Sequence, residues 1–335
     1  MAVTLADVAR LAGVSPATVS RVINDSAKKV APELRERVLA AVAQLHYVPN
    51  AHAQNVARPR KSAVGVIVHD VSDPYFAEIT RGLQRQAGAQ DRLLVICNSY
   101  REPERELAYV ALLRAQQVHA LILAGSGYHD DAFTARLNAE LGAYQQAGGR
   151  VAVIGRHELV GSAVLPANEQ GAYDLGCRVF HQGHRRVGVI AGPRLLTTTT
   201  DRLTGIRRAA TELGVRLDHV VHADFTRDGG ALATAELLDT VPDLTAIMAL
   251  NDSMAVGALA TLRDRGIPAP DQISVTGFDD MPIARDVTPA LTTVRLPLVD
   301  MGDRAMALAL DDDPGPLSER APATVVWRSS CTPPS

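Results

Sequence analysis

VTLADVARLAGVSPATVSRVIN, residues Val3 to Asn24, decides how the front of this chain folds. Leu5, Val8, Ala9 and Ala12 recur at helical spacing, and Gly13 follows where a helix C-terminus calls for positive φ. Ser15 stands where an N-cap hydroxyl accepts an orphan backbone N–H. Pro16 suits the first helical position, because it has no N–H to leave unsatisfied. The spacing predicts a first helix ending near Ala12 and a second from about Pro16 to Asn24. Val19, Val22 and Ile23 share one stripe of that second helix, which leaves Ala17, Thr18, Ser20 and Arg21 on the other. Two short helices joined by a Gly-Val turn make a helix-turn-helix. Leu34, Val38, Val42 and Leu45 predict a third helix from about Pro32, enough to close a minimal core.

In a module of this kind the second helix enters the major groove of DNA, where an arginine donates two hydrogen bonds to the O6/N7 edge of guanine. Arg21 is the candidate for that bond, with Ser20 beside it and the small Pro16 and Ala17 permitting close approach. Charge points the same way. Residues 1 to 61 carry nine Lys/Arg against four Asp/Glu, a balance of +5, within a chain of net charge −3. A basic head on an acidic body suits a polyanionic partner.

At 335 residues the chain is long enough for two or three compact units. With 47% hydrophobic and 21% charged residues it has the composition of a soluble globular protein, and no apolar run is long enough to span a membrane. Asp7 and Arg10 interrupt any apolar leader, so no secretory signal is expected. Cys97, Cys177 and Cys331 are odd in number and lack C-x-x-C spacing, which implies neither a disulfide framework nor a zinc site and fits a cytoplasmic address.

Beyond residue 63, short β-branched runs alternate with amphipathic stretches in two series, from Ala63 and from about Ser162. That alternation predicts parallel α/β sheets in two lobes, with ligands at the carboxyl ends of the strands.

These stretches together resemble the lactose/galactose repressor (LacI/GalR) family of bacterial transcription regulators. The likeness is carried by Val3 to Asn24, RERVLAAVAQLHYVPN up to Asn50, VGVIVHDVSDPYFAEITRGL from Val64, HRRVGVIAGP from His184, LNDSMAVGAL from Leu250, ISVTGFDD from Ile273 and TPALTTVRLPLVDMG from Thr288. The resemblance implies an α/β chain with a three-helix helix-turn-helix head (1–49), a hinge helix and linker (50–61), and a two-lobed periplasmic-binding-protein-like effector domain (62–335). Lobe one is expected over about 62–161 and 292–320, and lobe two over about 162–291 and 321–335. It also implies a homodimer on near-palindromic double-stranded operator DNA, a sugar-like or nucleoside-like effector, and no cofactor, metal or membrane partner.

For DNA contact the resemblance points to Thr4, Ser15, Pro16, Ala17, Thr18, Ser20, Arg21, Asn24 and Tyr47, and in the hinge to Asn50, Ala53, Val56 and Arg58. Val56 stands where the family usually has a leucine that wedges between base pairs. For the effector it points to Asp70, Tyr75, Phe76, Arg156, Thr198, Phe225, Asn251 and Asp279. Carboxylates, an amide and an aromatic platform hold polyols, since polar groups take hydroxyls while a ring covers a C–H face. Some family positions differ. Gly155 replaces an aspartate next to Arg156, Thr200 an arginine, and Leu296 and Leu298 polar or aromatic residues, so a less polar cleft without a secure inward-facing arginine is expected. Arg202 reads as structural, as do Asp252 and Asp280 at their helix starts.

Enzymatic motifs are weak. His181 and His184 in HQGH lack a third ligand and read as a surface loop, and Gly125-Ser126-Gly127 lacks the pattern of a phosphate-cradling loop. The rival reading, a solute-binding protein of the periplasmic type, leaves the basic helical head unexplained.

Overall fold

The structure, a computed structural model, describes residues 3–23, 30–47, 63–311 and 317–334. The hinge segment 50–61, and with it Asn50, Ala53, Val56 and Arg58, lies outside the described residues, as does Asn24. The chain divides into two compact units, Met1–Ser62 and Ala63–Ser335.

In the first unit, α1 (Leu5–Ala12), α2 (Pro16–Ile23) and α3 (Pro32–Gln44) pack around Val8, Ala12, Val19, Val22 and Val38. Thr4 caps α1 reciprocally with Asp7: the threonine hydroxyl accepts from the Asp7 N–H, and the Asp7 carboxylate accepts from the Thr4 N–H. Gly13 ends the helix at φ +63°, and the Arg37 guanidinium crosses from α3 to donate to the Ala12 carbonyl at 2.6 Å. A Cβ at residue 13 would therefore meet both a strained backbone and that guanidinium. Ala31 precedes α3 without a side-chain cap.

The second unit holds two parallel sheets. The first consists of β1 (Val64–Val68), β2 (Leu94–Asn98), β3 (Ala120–Ala124), β4 (Arg150–Ile154), β5 (Ser162–Pro166) and, late in the chain, a strand at Ser318–Ala321. Their order is Ser318–Ala321, β5, β4, β3, β1, β2. The helices α4 (Pro74–Ala89), α5 (Pro103–Ala115) and α6 (Asp131–Gln146) follow β1, β2 and β3. β1 and β3 are buried along their whole length, as strands covered on both faces must be.

The second sheet is built from β6 (Val187–Ala191), β7 (His219–His222), β8 (Ala246–Ala249) and β9 (Ser274–Thr276), in the order β7, β6, β8, β9. Around it lie α7 (Asn168–His181), α8 (Thr197–Glu212), α9 (Arg227–Thr240), α10 (Asp252–Asp264) and the short α11 (Ile283–Asp286). The antiparallel pair β10 (Thr293–Arg295) and β12 (Thr324–Val326) extends this lobe through bridges from Thr292 to Thr276 and from Arg295 to Asp279. Between them in sequence, α12 (Leu298–Leu310) and β11 (Ser318–Ala321) return to the first sheet, where α12 packs on α4.

Two lobe boundaries differ from the sequence expectation. β5 pairs in parallel with β4 and β11, so the first crossover comes after Pro166 and not near residue 162. β10 pairs with β12, so the return to lobe one comes after Arg295 and not at 292. In both cases strand pairing, which periodicity does not encode, sets the boundary.

Candidate functional site

On α2, Val19 and Val22 are buried, whereas Pro16, Ala17 and Arg21 are exposed. Ser15 caps the helix by accepting from the Thr18 N–H at 3.2 Å, and the two hydroxyls lie 2.9 Å apart. Thr18 and Ser20 are half-buried at the edge of this face. Tyr47 is half-buried too, with its ring packed against the three-helix core. Thr4 is exposed, and its hydroxyl is already engaged in the cap of α1.

In the second unit, a cavity opens between the two sheets at the carboxyl ends of their strands, with about 390 Å³ of empty space when its open mouth is included. The first lobe contributes His69 after β1, Asp73, Tyr75 and Phe76 at the start of α4, Arg101 after β2, and Gly125-Ser126 after β3. The second contributes Thr198 and Arg202 from α8, Phe225 after β7, Asn251 after β8 and Asp279 after β9.

The second wall is a closed network. Arg202 is 2% exposed and donates to Asn168 Oδ1 at 3.0 Å, to the Leu250 carbonyl at 2.5 Å and to Asp279 Oδ1 at 2.7 Å. Its guanidinium also covers the Phe278 ring at 3.8 Å. Burial raises the Asp279 carboxyl to about 6, while the Arg202 charge pulls it back toward ionisation. Asn251 caps α10, with Oδ1 accepting from the Met254 N–H at 2.8 Å. Behind them, buried Asp252 accepts from the Met281 N–H at 2.7 Å and from the Thr293 hydroxyl at 2.6 Å. Asp280 accepts from Arg295 and Arg328. Both carboxylates thus hold β9, β10 and the chain end together.

The first wall is looser. Asp73 caps α4 by accepting from the Tyr75 N–H at 3.0 Å, and burial raises its carboxyl above the usual range. Tyr75 meets Phe76 edge-on at 5.0 Å, and His69 stacks on Tyr128 at 5.9 Å. Burial first, and then the nearby Arg101 charge, depress His69 to about 3, so its imidazole is neutral. Tyr100 and Arg101 both have left-handed φ, +53° and +60°, and the Arg101 guanidinium lies over the Phe225 ring at 5.9 Å.

The rim is tied across the lobes. Ser126 donates to the Thr198 hydroxyl at 2.6 Å, the Thr197 N–H donates to the Gly127 carbonyl at 3.0 Å, and the His129 N–H donates to the Leu195 carbonyl at 2.8 Å.

Of the residues expected at the effector, Tyr75, Phe76, Thr198, Phe225, Asn251 and Asp279 come together around this cavity. Asp70 and Arg156 do not line it. Asp70 Oδ1 accepts from the Ser72 N–H and hydroxyl at 2.9 and 2.7 Å, in a local turn. Arg156 forms a two-pronged ion pair with Asp201, which makes it another tie across the rim. Sequence reasoning missed His69, Asp73, Arg101, Ser126 and Arg202. The glycine-serine-glycine run was the available signal for Ser126.

The expected shortage of polar groups is overturned as well. Leu296 and Leu298 are buried outside this cavity, and two arginines line it. His184 is also no surface loop: it is 1% exposed, lies 3.0 Å from the Thr245 hydroxyl and donates through Nε2 to the Thr332 carbonyl at 2.8 Å. Among the described residues, no group of three or more His, Cys, Asp or Glu side chains could hold a metal ion. Nor is any helix there long and apolar enough to cross a membrane.

Known proteins share both units. Residues 4–50 match the family described as bacterial regulatory proteins, lacI family, and residues 178–331 match a periplasmic binding protein-like domain. The HTH-type transcriptional regulator GalS of Salmonella typhimurium is 39% identical over 319 residues, covering 94% of this chain and 91% of that protein. A crystal structure of the lac repressor dimer bound to operator and the anti-inducer ONPF superposes with a TM-score of 0.87 at 25% identity, over 99% of this chain and 100% of that one. A complex of the transcriptional regulator CelR with cellobiose gives a TM-score of 0.70 at 32% identity, over 98% and 99% of the two chains. A solute-binding protein without a regulatory head is excluded by the first of these matches. A helix-turn-helix followed by this two-lobed cleft, alike over nearly its full length to GalS, places the chain in the lacI family of bacterial regulatory proteins.

Proposed function

We propose that this regulator is a homodimeric repressor of the bacterial cytoplasm that acts by binding rather than catalysis. It reads a near-palindromic operator with two copies of α2 and changes its grip when a sugar-like or nucleoside-like effector fills the cavity. Two-fold protein symmetry calls for a two-fold site. The observation that carries the reading is the exposed face of α2, where Arg21 stands free of the core beside small residues and a capped helix start. Residues 1–49 act as the reader, 50–61 as the hinge and 62–335 as the sensor. Thr4, Ser15, Pro16, Ala17, Thr18, Ser20 and Tyr47 supply phosphate and base contacts around Arg21. The lac repressor structure with operator and the CelR structure with cellobiose support DNA and a sugar as the two partners.

Coupling follows from the sensor's geometry. An effector that prefers one pose of the lobes shifts the population of that pose by its difference in affinity, typically ~1 to 3 kcal/mol per site. The test is a gel-shift titration with duplexes from the region flanking its own gene. Arg21→Ala is expected to weaken specific binding by ~1 to 3 kcal/mol and to relax discrimination at one base pair per half-site. Equal affinity of the unaltered protein for every fragment and for random duplex at low salt would overturn the reading.

A further inference from the structure

The cavity contains two arginines in different states. Arg202 has its guanidinium bonded to Asn168, Leu250 and Asp279, so it offers a ligand little beyond its field. Arg101 is ion-paired with Asp73 through Nη2 at 3.7 Å, too long for a hydrogen bond. Its Nε is buried and has no hydrogen-bond partner among the described residues. A buried donor left in this way costs free energy, so a site that keeps one is organised around something else.

The backbone supports that view. Tyr100 and Arg101 both adopt the left-handed conformation that side-chain-bearing residues avoid. The turn is fixed by the Ser99 N–H on the Val68 carbonyl at 2.8 Å and by the Tyr100 N–H on the His69 carbonyl at 2.7 Å. It delivers the guanidinium over Phe225, the ring that would cover the C–H face of a sugar.

We infer that the effector is a sugar acid, with its carboxylate taken by Arg101 and its hydroxyls by Asn251, Asp279 and Ser126. This rests on the reading of the cavity as the effector site. The Nε of this planar guanidinium has no hydrogen-bond partner among the described residues, and its Nη2 is held only by the 3.7 Å ion pair with Asp73, so these two atoms form the fork that would meet a carboxylate through two parallel bonds. A phosphate dianion fits less well, because Arg101 would meet its two charges alone while Arg202 is committed to Asp279. His69 adds no charge, being neutral throughout the physiological range.

The experiment measures calorimetric binding to the full-length protein for matched pairs: galactose with galacturonate, glucose with glucuronate, and ribose with ribonate, with glucose 6-phosphate as the phosphate arm. At least one acid is expected to bind about tenfold or more tightly than its neutral partner. Arg101→Gln is expected to cost that acid about tenfold to a hundredfold, at least tenfold more than it costs the neutral partner. The thermal transition of the variant, and the same loss in Arg101→Lys, separate a missing fork from a misfolded chain. A panel in which no acid outbinds its neutral partner overturns the inference, including one in which nothing binds. Tighter binding of the phosphate, or an acid preference that survives Arg101→Gln, does so as well. DNA release in the same preparations keeps the two readings apart. Release by a neutral sugar with the acids inert spares the regulator and refutes the acid, whereas acid binding that leaves every DNA fragment untouched spares the acid and refutes the control of DNA.

Discussion

On the wall after β6 to β9, Arg202 is enclosed by three acceptors and an aromatic ring, and Asp279 and Asn251 each answer a neighbour. On the facing wall Arg101 stands over Phe225 with an Nε that has no hydrogen-bond partner among the described residues. Among the side chains that line the cavity, the polar groups of Thr198, Arg202, Asn251 and Asp279 are all answered, and the Nε of Arg101 is not. A finished polar network gives a ligand a fixed frame, while unmet donors supply the difference between one ligand and another.

The sharpest way to break this contrast is Asp279→Ala. It leaves the Arg202 charge buried and unpaired, and should cost about 3–5 kcal/mol in a urea titration. A cost below about 1 kcal/mol would mean that the second wall is not the rigid one.

Glu106 comes next, on the first-lobe side. It is 2% exposed, its carboxylate accepts from the Tyr128 hydroxyl at 3.4 Å, and burial raises it from 4.5 to about 7. The folded chain therefore holds this proton up to about 7, whereas the unfolded chain releases it near 4.5. Stability from this group is full below the lower value and is lost as pH rises through the upper one. Glu106→Gln should be about 1–3 kcal/mol more stable than the unaltered protein at pH 8 and show no such advantage at pH 4. Parallel pH curves for the two proteins would remove Glu106 from this account.

Ser126→Ala removes the bond to Thr198 across the rim and should cost about 1 kcal/mol. Smallest of all is Arg101→Met, expected to change stability by about 0.5 kcal/mol or less, since the side chain has no ideal partner to lose. Thermal melts of the two variants side by side check both values; a cost for Arg101→Met equal to that of Asp279→Ala would erase the distinction between the walls.

The head was legible because its signals are local. Gly13, Ser15 and Pro16 act on their own backbone, and Val19 and Val22 repeat at the helical period. The alternation of strands and helices was legible for the same reason, and it put Asn251 and Asp279 at strand ends. What escaped was parity and pairing. Successive residues leaving a strand point to opposite sides, so His69 enters the cavity while Asp70 turns to Ser72. Arg156 carries a charge of the right kind, but Asp201, 45 positions away, captures it. Arg101 depends on a left-handed turn that its sequence, Ser-Tyr-Arg-Glu, does not announce. The same blindness to pairing displaced the lobe boundaries at β5 and β10.

Gly155 has φ +111°, and a Cβ there would overlap the Gly125 carbonyl oxygen. Anyone retargeting this sensor by grafting in the aspartate that family resemblance places at that position would therefore meet a collision between two strand ends, not a new ligand contact. Exchange of taste between such receptors has to move β3 and β4 termini as a block, and here the cheaper handle is Arg101, which can be rewritten without rebuilding the masonry around it.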